Sequence, residues 1–380
     1  MLKRICTLII TAVICLHMSF TAAFAVDAYE PKACWALAEG STGSILEEEN
    51  CSKKVPIGVT AKLMTILITA EEIKNGRLAF DDVVTVSSNS NSKQGAQIWI
   101  MPNEKITVEE LIKGIIIGNA NDAASAIAEK ISGTEEKFVE KMNLKAAELG
   151  MEDTVFTNPD GYYNSDKQIS TAKDMTVLAC RLMEYDCFDE IFSCRIDNIR
   201  SNETMLVNSN KLTGRYSGLK GYKSGYTETS GYCGVFAAER DGKSYTAVLL
   251  GYYDEDEMLS QAVKLLDKGF SSYRLYTPEL PEDIPLNIKV RNGVKNKIRL
   301  DSGEADDIII KAGEADDIKA TAFIPDYVYA PIKKGDRIGE VHFYKKDKFI
   351  FSVEIVSAET VKENDIQNII VKMLKKILSF

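Results

Sequence analysis

Apolar and polar residues are patterned as strands in two stretches, "GYCGVFAAE" and "SYTAVLLGYY", with Asp241-Gly242 between them. That order predicts a β-hairpin over residues 231 to 252, because Asp-Gly suits a tight turn whose twist matches that of paired strands. Residues 33 to 50, "ACWALAEGSTGSILEEEN", read as two more strands around a Gly-rich turn. Between these strand regions, roughly from residue 59 to 190, apolar positions recur at helical spacing in "TVEELIKGIII" and "EEKFVEKMNLKAAEL". A helical block inserted between strands predicts an α/β fold, an antiparallel sheet with helices packed on it.

Downstream, "YTPELPEDIPL" carries Pro278, Pro281 and Pro285, three of the nine prolines, and reads as a linker over 276–285. Short alternating segments such as "KFIFSVEIV" then predict a small all-β domain over 286–361. "GEADDI" occurs at 303–308 and again at 313–318, and two copies read as paired turns rather than a solenoid. The tail "NDIQNIIVKMLKKILSF" sets Ile366, Ile369, Ile370, Met373, Leu374 and Ile377 on one face. Lys372, Lys375 and Lys376 fall largely on the other, so residues 362–380 are expected to form a basic amphipathic helix. Residues 365–380 are expected to lie on an anionic membrane surface, docking onto the β domain being the alternative.

The chain begins on the plan of a signal peptide over 1–25. Lys3 and Arg4 lead, an apolar stretch follows, and Ala23-Phe24-Ala25 supplies small residues for cleavage. The expected location is therefore outside the cytoplasm, at the outer face of the cytoplasmic membrane or in the cell wall. Loss of Lys3 and Arg4 takes the formal charge from -10 to about -12, which argues against a nucleic-acid partner. Six cysteines remain in the mature chain: Cys34, Cys51, Cys180, Cys187, Cys194 and Cys233. Their spacing is neither that of a disulfide scaffold nor that of a zinc site. Cys180, Cys187 and Cys194 recur every seven residues and could stack along one helix face, buried free thiols being the expected explanation. Cys34 with Cys51 is a candidate bridge across the first hairpin.

Only two histidines exist, and His17 leaves with the signal. His342 lies far downstream in a strand-like segment, so an acyl-transfer site in the main body has to use another base. A desolvated lysine is the usual substitute. Lys62, in "VPIGVTAKLMT", opens an apolar run of Leu63, Met64, Ile66, Leu67 and Ile68. A buried ammonium costs several kcal/mol unless it is paired or neutral. Snorkelling to water is the plainer reading of such a lysine.

Two further stretches bear on that choice: "GIIIGNANDAASAIAEKISG", with Asn119 and Asn121, and "GLKGYKSGYTETSGYCGVFAAER", with Lys223-Ser224-Gly225. The order and spacing of the three resemble the serine D-Ala-D-Ala carboxypeptidases, the low-molecular-mass penicillin-binding proteins. The resemblance runs from about residue 30 to the C-terminus. It implies a β-lactamase/transpeptidase-like domain over 26–275, followed by the β domain and the terminal amphipathic helix. It also implies acyl transfer from peptidoglycan stem peptides, with no cofactor and no metal.

In that family a serine in S-x-x-K attacks the peptide, and the lysine one turn later takes its proton. Lys62 matches that lysine, and Asn121 the asparagine of S-x-N. Lys223, Ser224 and Gly225 match the strand motif that binds the substrate carboxylate, with the backbone of Tyr226 an oxyanion donor. Two positions depart from the pattern. Asn119 stands where the S-x-N serine is expected, and Val59 where the nucleophile is expected. Thr60, one residue on, is turned about 100° away on a helix. The expectation is a family member that recognises D-Ala-D-Ala stem peptides, and binds β-lactams non-covalently, with hydrolysis weak or lost. A carboxypeptidase working through Thr60 or water, and a structural role at the membrane, are the alternatives.

Overall fold

The computed structural model describes residues 33–162, 167–282, 284–302 and 307–365. The signal segment, residues 366–380 of the tail and residues 303–306 of the first "GEADDI" copy lie outside the described residues.

A five-stranded antiparallel sheet forms the frame of the first domain. Its strands are β1 (Cys34–Glu39), β2 (Ile45–Glu49), β3 (Leu219–Thr227), β4 (Gly231–Arg240) and β5 (Lys243–Tyr252), in the order β2-β1-β5-β4-β3. The β4–β5 turn holds Asp241 at φ 51° and Gly242 at φ 72°, the left-handed pair that the Asp-Gly dipeptide predicts. Side chains alternate across the sheet. Ala36, Val235, Ala237, Val248 and Leu250 join the core on one face. Leu37, Phe236, Ala238, Ala247 and Leu249 join the core on the other. Three layers follow from that two-sided apolar pattern.

The larger face carries the inserted helices: α1 (Lys62–Lys74), α2 (Val108–Ile116), α3 (Asn121–Ser132), α4 (Glu135–Glu148) and α5 (Ala172–Met183). Helix α2 starts at a capping box, in which Thr107 and Glu110 satisfy each other's backbone N–H groups. Helix α6 (Glu255–Ser272) covers the opposite face, capped by Asp254, an element beyond those expected from the sequence. The 59–190 block is also less continuous than periodicity suggests. Strand pairs interrupt it at Val83–Thr85 with Lys105–Thr107, and at Val55–Pro56 with Ile169–Ser170. A further hairpin, Ile196–Ile199 with Thr204–Val207, follows it. Polar turn-formers such as "SSNSNSKQG" break the helical period there.

The six described cysteines form no disulfide, in keeping with the expectation of buried thiols, although Cys187 and Cys194 are only partly buried. Helix α5 ends at Met183, so Cys180 shares no helix with Cys187 or Cys194, and Cys194 caps a short helix Asp189–Ser193. Cys34 and Cys51 are not joined in a disulfide, and the Cys51 thiol donates to Glu48.

The second domain is a six-stranded sheet around its own core. Its strands are β6 (Asn287–Arg291), β7 (Lys297–Ser302), β8 (Ile318–Phe323), β9 (Tyr327–Tyr329), β10 (Arg337–Lys345) and β11 (Lys348–Ser357), ordered β8-β10-β11-β7-β6-β9. Residues 361–365 carry no helix. Val361 bridges to Ile332 and Glu363 to Gly293, so the expected start of the tail helix is tied into the β domain.

Candidate active site

The chain enters the site through a tight 3-10 turn, Gly58–Ala61, which runs directly into α1. Positions three apart stack in such a turn, so Val59 and Lys62 share a face. Thr60 does not share it. Its hydroxyl donates to the Ile57 carbonyl at 2.6 Å, and the residue is fully buried.

Lys62 is wholly buried rather than snorkelling. Its ammonium donates to Asn121 Oδ1 at 2.6 Å and to the Asp160 carbonyl at 2.5 Å. Burial lowers its pKa to about 8, against the opposing pull of the Asp160 and Asp122 carboxylates. Asn121, the first residue of α3, is itself fixed, because its amide donates to the Gln94 carbonyl at 2.5 Å. Asp122 next to it accepts the backbone N–H groups of Ile98, Ile100 and Ala123, which ties the 94–100 loop to α3. Burial raises the pKa of Asp122 and also that of Asp160, Lys62 opposing the latter shift.

Strand β3 is the edge of the main sheet and brings the third motif alongside the turn. A Cβ built on Gly225 would lie 3.0 Å from Val59 Cγ2 and 3.1 Å from Asn119 Nδ2. Only a residue without a side chain lets these three segments approach so closely. Asn119 reaches the junction through a left-handed backbone, φ 56°, in the turn between α2 and α3, a conformation asparagine tolerates well. Lys223 is fully buried and donates to the carbonyls of Ile115 and Ile116, at 2.7 and 2.9 Å. Those carbonyls end α2, where the helix dipole favours a cation. Burial nevertheless holds the Lys223 pKa well below the usual lysine range, and the charge of Lys62 adds to the effect.

Two buried polar atoms, Asn119 Oδ1 at the junction and Ser224 Oγ one residue before Gly225 on β3, have no hydrogen-bond partner among the described residues. Unsatisfied buried groups are uncommon, and a cleft that receives a polar ligand is one place for them. Tyr226, half-exposed at 52%, tilts its ring against Tyr232 at the strand end. Among the described residues no three His, Cys, Asp or Glu side chains are grouped to hold a metal ion.

The structure thus gathers Val59, Lys62, Asn119, Asn121 and Gly225 at one junction, with Ser224 next along β3, Lys223 buried behind it and Tyr226 at the strand end. Sequence reasoning missed Asp160, Asp122, Gln94 and the Ile115 and Ile116 carbonyls. The Asn-Pro-Asp-Gly turn in "TNPDGYYN" was a visible signal for the first. Carbonyl acceptors at a helix end carry no side-chain signal at all.

Comparison with known proteins agrees with this geometry. Residues 23–253 match the family model for D-alanyl-D-alanine carboxypeptidase, and residues 280–363 match the model for the penicillin-binding protein 5 C-terminal domain. The chain is 32% identical over 340 residues to D-alanyl-D-alanine carboxypeptidase DacF of Bacillus subtilis, covering 88% of this chain and 87% of that one. It is 28% identical over 337 residues to DacC of Escherichia coli, covering 87% and 84%. Among solved structures, penicillin-binding protein 5 of Haemophilus influenzae superposes with a TM-score of 0.76 at 26% identity, over 87% of this chain and 97% of that one. Penicillin-binding protein D2 of Listeria monocytogenes, solved in an ampicillin-bound form, superposes with a TM-score of 0.57 at 26% identity. That match spans 62% of this chain and 96% of the other. On a model match across most of its length and a relative above 30% identity, this chain belongs to the D-alanyl-D-alanine carboxypeptidase family.

Proposed function

We propose that this is an exported cell-wall protein that recognises the D-Ala-D-Ala end of peptidoglycan stem peptides without forming an acyl-enzyme. One observation carries the reading. Val59 occupies the face that the general base Lys62 needs for a nucleophile, and its isopropyl group packs towards Gly225. An isopropyl group cannot attack a carbonyl, and loss of the nucleophile costs a hydrolase ~10⁶ in kcat. Thr60 is a poor replacement, since its hydroxyl is engaged by the Ile57 carbonyl one turn back.

The binding half of the site is supported by groups that remain. Ser224 Oγ and Asn119 Oδ1 are buried with acceptor or donor capacity to spare. The edge of β3 offers backbone groups along which an extended peptide can lie. In this role residues 365–380 tether the protein to the membrane surface, and the cleft faces the wall.

The test is a paired measurement on an acylated D-Ala-D-Ala peptide, following binding by calorimetry and D-alanine release by amino-acid analysis. The expected result is saturable binding, weakened by Ser224→Ala, with release far below the 1–10³ s⁻¹ typical of enzymes, roughly 10⁶-fold down. Release within the ordinary enzymatic range would overturn the loss of hydrolysis. Absence of binding would overturn the recognition role.

A further inference from the structure

The second domain carries a feature that the cleft does not explain. Lys289 on β6 stands directly opposite Lys297 on β7 in the antiparallel register. Like charges in that position repel and destabilise a strand pair. The same outward face adds Arg299, two residues along β7, and Arg291, two residues along β6, giving a diagonal stripe of four cations. Ile288, Val290, Ile298 and Leu300 alternate with them and face the core. Neighbouring Lys295 pairs with Glu359, whereas none of the four forms an ion pair with a described carboxylate. This stripe lies on a chain whose net charge is -10.

The stripe borders a hollow and an aromatic edge. Lys289 and Lys297 line a cavity of about 380 Å³, together with Asn287, Ala322, Pro325 and Asp326. Asp326 is the carboxylate in that wall, and Asp301 stands on β7 two residues beyond Arg299. Strand β9 runs parallel to β6, setting Tyr327 beside Lys289 and Tyr329 beside Arg291. The Arg291 guanidinium stacks 3.6 Å from the Tyr327 ring centre, and Tyr329 is 56% exposed.

We propose that this face binds a phosphate-bearing polymer of sugar or polyol units. Two opposed ammonium groups at one cavity mouth fit a single anionic group with several acceptor oxygens. Cations on alternate strand positions repeat at about 7 Å, a spacing suited to successive phosphodiesters of an extended chain. The exposed Tyr329 ring beside them offers a flat surface for the apolar face of a sugar or polyol, and the Arg291–Tyr327 stack holds the guanidinium next to it. The concave mouth favours a threaded polymer over a flat lipid surface. The inference is independent of the cleft and of its hydrolytic state.

The test uses the full mature chain and a glycerol-phosphate oligomer as probe, with an uncharged chito-oligosaccharide and phosphatidylglycerol vesicles alongside. The oligomer should bind, and binding should fall about tenfold or more between low and near-molar salt. Lys289→Glu with Lys297→Glu should weaken it about tenfold or more, and Lys289→Met with Lys297→Met by a smaller factor that needs no new carboxylate. Lys137→Glu with Lys264→Glu, equal in net charge but on helices α4 and α6 of the first domain, should change it less than about twofold. Equal losses in the two Glu pairs would overturn the site in favour of bulk charge. Binding of the uncharged glycan at equal strength would overturn it, as would vesicle binding without oligomer binding. Far-ultraviolet dichroism of each variant shows whether it is folded, and the Met pair decides the matter should the Glu pair unfold.

Discussion

Two pairs of lysines, one in each domain, do opposite things with the same side chain. Lys62 and Lys223 are fully buried, and the hydrogen bonds of both end on carbonyl oxygens. Lys289 and Lys297 stand in water across a strand pair. Among the described residues neither pair has a carboxylate in ion-pair contact. Burial turns the first pair towards neutrality, which is the condition for a base near physiological pH. Exposure keeps the second pair charged, which serves attraction at a distance but not proton transfer. The comparison teaches that a lysine's role here is set by solvent access and by what stands beside it. Beside Lys62 stands Val59.

The largest expected effect comes from restoring that neighbour. Val59→Ser should raise the rate of covalent penicillin labelling by ~10³ or more, since base, amide and strand motif are already gathered. Labelling is read by intact mass over time. A folded Val59→Ser protein that takes no label, alone or with Asn119→Ser, would show that the buried pair is no longer a catalytic frame.

The next effect separates the buried lysine from the exposed ones by pH. The pKa of Lys62 is about 8 in the fold against 10.5 unfolded, so between those values the unfolded state binds more protons. Stability should therefore rise with pH across that window, and the cost of the buried charge is fully present below pH 8. Denaturant unfolding of the wild type and of Lys62→Met should differ by an amount that changes by about 3 kcal/mol from pH 7 to pH 10.5. A pH-independent difference would mean that Lys62 is not buried as described.

A smaller effect tests how closely the cleft is packed. Gly225→Ala places a methyl group 3.0 Å from Val59 Cγ2 and should cost about 1–3 kcal/mol in denaturant unfolding. In a Val59→Ala background the cost should shrink, because the two positions share one space.

The smallest effect belongs to the exposed pair. Lys289→Met removes a like-charge contact and should stabilise the second domain by a few tenths of a kcal/mol, roughly a degree or less in Tm. The gain should fade as salt is added.

The sequence made some of these features legible and hid others for physical reasons. The hairpin at Asp241-Gly242 and the strands at 33–50 could be read because turn chemistry and alternation are local. The β3 motif and Lys62 could be read because S-x-x-K and K-[ST]-G chemistry ties residue types to fixed spacing. Helix α6 was not assigned, although "DEDEMLSQAVKLLDKGF" has an Asp254 cap and helical periodicity. The seven-residue cysteine period carries no structure, because a period without a continuous helix is only a coincidence of spacing. The carbonyls that hold Lys62 and Lys223 were invisible, since every residue has one and only the fold selects which of them is near. The Lys289–Lys297 opposition depends on register across β6 and β7, which alternation alone leaves open.

The central claim is that Lys62 has kept its place while its acyl-accepting neighbour is gone. Intact mass spectrometry of the mature wild-type protein after prolonged exposure to benzylpenicillin tests it most directly. The account predicts an unchanged mass for the wild type, beside a single penicilloyl adduct on Val59→Ser at residue 59. A stoichiometric adduct on the wild type, mapped by peptide digestion to Thr60 or any other residue of the cleft, would contradict it.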